Sequence, residues 1–207
     1  MKFYYFDHYG IGEAIRMILH YKKVPFEDIR MDGDQMIEFK GEGLFEFGQC
    51  PMLELDDGTR LVQEYAILDY LGDAYNLLPD DAMMRYWGQC TLEHYSDMVM
   101  RLIAIWKAPD EEEQKNLYTD FLTNYWPKYL GQLEKRLVKG KFICGNTLTI
   151  WDFKIAGLWT NMIENPNQTK IPGLMGHEPE KIKEYIRSFR DEMADYLNTR
   201  PESLRGF

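Results

Sequence analysis

Serines, histidines and cysteines are the first groups to test for chemistry in this chain of 207 residues. Ser96 and Ser188 fall inside helical patterns and Ser203 in the C-terminal tail; none has the G-x-S-x-G setting that activates a serine hydrolase. His8, His20, His94 and His177 are scattered, without H-E-x-x-H or comparable ligand spacing, so no metal is expected. Cys50, Cys90 and Cys144 are odd in number, widely spaced and free of C-x-x-C, which argues against a disulfide framework or a zinc site and suggests a reducing compartment. Gly10-Ile11-Gly12 starts like a dinucleotide fingerprint, but Ile15 replaces its third glycine, and that reading is rejected. Two features remain. The phenols Tyr4 and Tyr5 lie on opposite faces of a strand by alternation, so only one can point at a site. Gln63 and Glu64 open a helix, where free amide N–H groups favour an anion.

The elements that must position these residues fall into two groups. Lys2 to Phe6 reads as a strand and Glu13 to Tyr21 as a helix. Val24 to Arg30 reads as a second strand, with Pro25 marking its start or an edge position. After a loop, Met52 to Leu55 and Arg60 to Val62 form a hairpin around Asp56-Asp57-Gly58-Thr59, and Glu64 to Tyr75 resumes helical spacing. Leu77-Leu78-Pro79-Asp80-Asp81 is a linker, beyond which the pattern is helical throughout. Leu92, Tyr95, Val99, Leu102 and Trp106 form one stripe. Leu117, Phe121, Tyr125, Tyr129, Leu133 and Leu137 form another, with a kink expected at Pro127. Ile182, Ile186, Phe189, Met193 and Leu197 define one long final helix. The acids Asp110 to Glu113 and Glu178 to Glu180 sit at helix starts, opposing the macrodipole. Thr149 and Asp152 have the spacing of a capping box, worth about 1 kcal/mol.

Lysine plus arginine is 24 and aspartate plus glutamate 34, so the formal charge is 24 − 34 = −10. That balance argues against a nucleic-acid or anionic-membrane partner. No apolar stretch approaches the roughly 18 residues needed to span a bilayer. The N-terminal residues lack a signal-peptide pattern, so a cytoplasmic protein is expected and the sequon Asn167-Gln168-Thr169 is read as accidental.

Taken in order, Tyr5-Phe6, Gly10, Glu13 and Arg16, then Phe47-Gly48-Gln49-Cys50-Pro51-Met52-Leu53, then Gln63-Glu64-Tyr65-Ala66-Ile67-Leu68-Asp69-Tyr70-Leu71, resemble cytosolic glutathione transferases of the tyrosine type, particularly sigma. Gly145-Asn146-Thr147-Leu148-Thr149-Ile150-Trp151-Asp152-Phe153 extends the resemblance over nearly the whole chain. It implies an α/β thioredoxin-like N-terminal domain that binds glutathione, residues 1–77, and an all-α C-terminal domain, residues 84–207, that contributes the electrophile site. It also implies a homodimer with glutathione as co-substrate and no metal. The reaction implied is attack of the glutathione thiol on a small apolar electrophile. The alternatives are a glutathione-dependent isomerase of the prostaglandin D synthase kind, a peroxidase, or a non-catalytic ligand-binding or structural relative.

The resemblance also assigns residues. A thiol of pKa near 8.5 is only about 3% thiolate at pH 7, and lowering that pKa by two units takes roughly 2.7 kcal/mol. By motif position Tyr5 is the phenol that donates to sulfur. Cys50-Pro51 is expected to be a cis bond whose Cys50 backbone pairs with the cysteinyl part of the ligand, leaving the thiol idle. Gln49 contacts the peptide, Lys40 neutralises the glycyl carboxylate, and Gln63 with Glu64 holds the γ-glutamyl end. The family has serine where Glu64 stands. A free carboxylate within about 4 Å of the ligand's own would cost roughly 1 kcal/mol in water and about 4 at an effective dielectric of 20. Turned toward the ligand's ammonium group it would attract instead. Glu93, with Asp97 as the alternative, aligns with the acid that reaches the ligand from the other subunit. Met98, Leu102, Ile105 and Trp106 are the expected electrophile wall, and Arg16 a brace for the first helix or the domain interface.

Overall fold

The computed structural model describes residues 1–167 and 173–203. Its first half runs β1 (Lys2–Phe6), α1 (Glu13–Tyr21), β2 (Glu27–Met31), α2 (Gly33–Gly41), β3 (Met52–Glu54), β4 (Arg60–Val62) and α3 (Glu64–Ala74). The sheet order is β2-β1-β3-β4, with β1 parallel to β2 and the other pairs antiparallel. Alternation along β1 sorts its aromatics as expected. Phe3 and Tyr5 join the core beneath α1, while Tyr4 packs with Met31, Phe45 and Met52 on the other face.

Helix α2 occupies what reads in the sequence as a loop. It buries none of its residues, so the periodic apolar stripe that betrays most helices is missing. A reciprocal cap holds it instead: Gln35 N–H donates to Asp32 Oδ1 at 2.8 Å, and Asp32 N–H donates to Gln35 Oε1 at 3.0 Å.

The second half runs α4 (Ala82–Trp106), α5 (Glu111–Asp120), a π-helical turn (Phe121–Tyr125), α6 (Trp126–Glu134), α7 (Ile150–Ile155), a second π-helical turn (Trp159–Ile163), α8 (Glu180–Glu192) and α9 (Ala194–Thr199). Its extended pairing, among the described residues, is limited to a bridge between Phe142 and Gly145. The irregularity expected at Pro127 is the π-helical turn just before it; Pro127 has no N–H to give, and Trp126 N–H reaches back to Phe121 O. The single final helix is corrected to two, because Met193 leaves helical geometry at φ −102°, ψ 8°. That break re-aims Tyr196 toward α1, where its hydroxyl donates to Glu13 at 2.8 Å. Asp152, fully buried, receives Thr149 N–H, Thr149 Oγ1, Ile143 N–H and Tyr185 Oη at 2.7 to 3.0 Å, so the capping box also ties α7 to α8. Among the described residues no helix is long and apolar enough to cross a membrane. Of the sequon, Gln168 and Thr169 lie outside the described residues.

Candidate active site

A cleft of about 600 Å³ opens along the first half of the chain. Phe6 borders it from the end of β1, Ile11 from the β1–α1 loop, Met36 from α2, Gly48 to Pro51 from the loop before β3, and Gln63 to Tyr65 from the start of α3. Loop conformation shapes this wall. The Cys50-Pro51 bond is cis, as expected from the motif. Gln63, the residue that caps α3, sits at φ 70°, ψ 117°, a conformation costly for a residue with a side chain.

Tyr5 is 5% exposed and lies beside the wall rather than in it, next to Phe6 and beneath Ile11. Ile11 N–H donates to its hydroxyl at 3.0 Å. Burial pushes the phenol well above its usual range, and the N–H groups of Ile11 and Gly12 only partly offset this. The group therefore stays protonated at neutral pH, a donor and not a phenolate. Gly10 and Gly12, rejected above as a nucleotide motif, have a steric role. A Cβ on Gly10, at φ +36°, would stand 2.4 Å from the Tyr5 hydroxyl, and one on Gly12 2.4 Å from its ring.

Arg16 fixes this loop. Fully buried, it donates to the carbonyls of His8 and Phe6 at 3.0 and 3.1 Å and to Asp28 at 3.0 Å. Its neighbour Glu13 receives Arg16 at 3.3 Å, the Tyr196 hydroxyl at 2.8 Å and Arg200 at 2.9 Å. Arg200 also stacks on the Tyr9 ring at 3.8 Å and donates to Asn161 and the Thr160 carbonyl, while the Tyr9 hydroxyl donates to the Pro201 carbonyl. Buried charge of this kind persists because every group is paired. The brace expected of Arg16 thus extends through Glu13 to the C-terminal tail.

The other expected residues divide. Gln49, Cys50, Pro51, Gln63 and Glu64 border the cleft together. Burial pushes the Cys50 thiol up to about 11, so it carries no thiolate at neutral pH. Lys40 lies over Gly48, where an added Cβ would meet its Cε at 2.9 Å, and among the described residues it forms no ion pair. Glu64 departs from the expectation of a free carboxylate. It forms a buried ion pair with Lys154 of α7. Glu93 is not in this cleft; it takes a hydrogen bond from Gln89 at 2.7 Å and borders a separate cavity between α3 and α4.

The electrophile wall needs correction. Met98, Leu102 and Ile105 are 0%, 0% and 3% exposed and belong to the hydrophobic core. Their spacing along α4 is that of the stripe packed against neighbouring helices, and a side chain without surface cannot wall an open site. Trp106 keeps part of its surface, as do Val99 and Ile103 on the adjoining strip. Met36 and Lys154 went unnoticed in the sequence. Met36 belongs to the helix that has no stripe. Lys154 did leave a signal: a cation inside the otherwise buried run Ile150-Trp151-Asp152-Phe153-Lys154-Ile155 needs an anion.

Profiles of known families decide the affiliation. The N-terminal domain of glutathione S-transferases matches residues 1–73 and the C-terminal domain of glutathione S-transferases matches residues 96–200. The chain belongs to the glutathione S-transferase family. It is 29% identical to a glutathione S-transferase of Plasmodium falciparum (isolate 3D7), over 97% of this chain and 96% of that one. It is 33% identical to glutathione S-transferase A4 of Mus musculus, over 74% of this transferase and 70% of its relative. A sigma class GST of Fasciola hepatica shares its fold, with a TM-score of 0.81, 23% identity, and coverage of 98% and 97%.

Proposed function

We propose that this glutathione transferase is a sigma-like, tyrosine-type, cytoplasmic enzyme in which Tyr5 donates a hydrogen bond to the glutathione sulfur and keeps it anionic. The observation that carries this reading is the Tyr5 hydroxyl: protonated, at the head of α1, and receiving Ile11 N–H at the border of the cleft. Among the described residues nothing accepts its proton, so that proton is available to a sulfur. A charge-assisted bond from phenol to thiolate, together with the positive end of α1, supplies interaction of the size that a two-unit fall in thiol pKa requires. The thiol proton leaves to solvent, the thiolate forms a carbon–sulfur bond with a small apolar electrophile, and the leaving group departs with its electron pair.

Binding divides along the tripeptide. Backbone at Cys50 pairs with the cysteinyl part, Gln49 contacts the peptide and Lys40 faces the glycyl carboxylate. Gln63 and the start of α3 take the γ-glutamyl end. Ile11 and Trp106 supply the apolar side for the electrophile. A homodimer is part of the reading. It is supported by Glu93 lying outside its own cleft, and by the aromatic surface that Phe47, Tyr65, Tyr70 and Tyr86 expose in the first domain and on α4. The non-catalytic rival drew its force from Glu64 as an uncompensated charge, and the pairing with Lys154 removes that ground.

Turnover of glutathione with a generic aryl halide tests the role of Tyr5. At pH 7, Tyr5→Phe should lower kcat by at least about tenfold, since bound thiol then returns toward roughly 3% thiolate. The gap should narrow above pH 8.5, where both forms of the enzyme carry thiolate unaided. An unchanged kcat at pH 7 would remove Tyr5 from the mechanism.

A further inference from the structure

Glu64 is 9% exposed and Lys154 8%, and they join α3 of the first half to α7 of the second. A buried ion pair loses much of its attraction to desolvation, and apolar residues of equal volume would hold two helices together at least as well. Stability alone therefore does not explain the pair, and its position suggests another role. Glu64 is the first residue of α3, between Gln63 and Tyr65 on the cleft wall, where helix N–H groups favour an anion. Burial raises the carboxyl's pKa and Lys154 pulls it back. The ammonium group is held from a second side, 5.7 Å from the centre of the Tyr95 ring. Lys154 also borders a small cavity with Gly10, in the loop over Tyr5.

We propose that Lys154 is a specificity-determining residue of the glutathione site: by neutralising Glu64 it lets the start of α3 accept the α-carboxylate of the γ-glutamyl group, which an unpaired Glu64 would repel. The proposal rests on the glutathione reading above. Lys154 acts through Glu64 and is a positioning residue, so its effect depends on whether the ligand carries that carboxylate.

Three thiols separate this role from a structural one: glutathione; glutaryl-Cys-Gly, which keeps the carboxylate and lacks the ammonium group; and 4-aminobutanoyl-Cys-Gly, which keeps the ammonium group and lacks the carboxylate. Dissociation constants are measured by calorimetry at pH 7.5 on the full chain. Lys154→Met should weaken glutathione and glutaryl-Cys-Gly at least tenfold and leave 4-aminobutanoyl-Cys-Gly within twofold. Glu64→Gln, which leaves the cation unopposed, should shift glutaryl-Cys-Gly the other way, severalfold tighter. Glu64→Gln/Lys154→Met, with both charges removed, should bring glutathione back within about threefold of the native value and guards against a Lys154→Met chain that does not fold. Equal losses for all three thiols, or no loss in Lys154→Met, would overturn the proposal. Failure of the native chain to bind glutathione would overturn the glutathione reading and the proposal with it, and is told apart because it shows before any substitution is made.

Discussion

The wall of the cleft and the inner stripe of α4 both carry residues that suit a binding site, and only the wall borders open space. Gly48 and Gln63 stand at a positive φ, and Gln63 does so with a side chain. Met98, Leu102 and Ile105 stand in regular helix, none more than 3% exposed. An irregular backbone has to be held by its surroundings, and sites are where such geometry gathers. An apolar residue at helical spacing has the core as its ordinary destination, and its sequence looks the same in either place. Irregularity in the backbone therefore discriminates, and apolar side-chain type does not.

Three substitutions press on that contrast. The largest effect is expected inside α4. Leu102→Ala should lower the free energy of unfolding by about 2–5 kcal/mol while the surviving folded protein binds glutathione normally. Urea denaturation beside calorimetry checks both, and a loss under 1 kcal/mol with weakened electrophile turnover would return Leu102 to the site. Gln63→Gly should do the reverse. Relief of the positive φ offsets the greater freedom of glycine in the unfolded chain, so stability should move by no more than about 1 kcal/mol. Glutathione affinity should fall clearly, and a retained affinity would make the strained geometry incidental. The smallest change is expected at Lys40. Lys40→Met should leave the melting temperature in place and weaken glutathione a few-fold at low salt, the difference fading as ionic strength rises. Insensitivity to salt would move the glycyl carboxylate away from Lys40.

The same contrast explains what could be read in advance. Alternation placed Tyr4 and Tyr5 on opposite faces, because a strand of period two leaves no other choice. The Thr149 and Asp152 box was legible because it satisfies helix N–H groups within one turn. Helix α2 escaped because it rests on Asp32 and Gln35 and not on a buried face, although the spacing of those two residues was itself a signal. The partner of Glu64 escaped for a different reason. Ninety positions separate it from Lys154, and only the packing of α3 on α7 makes them neighbours.

The clasp between Tyr9 and Arg200 has a bearing on biosynthesis. Proteins are made from the N-terminal end, and early segments fold while later ones are still inside the ribosome. Here the segment over Tyr5 is among the first to emerge, yet Arg200 and Pro201, which fasten it, come some 190 positions later. The loop over Tyr5 therefore cannot gain this clasp on a nascent polypeptide until the tail has emerged. A chain cut short before α9 would lack the Tyr196, Arg200 and Pro201 contacts that hold Glu13 and Tyr9.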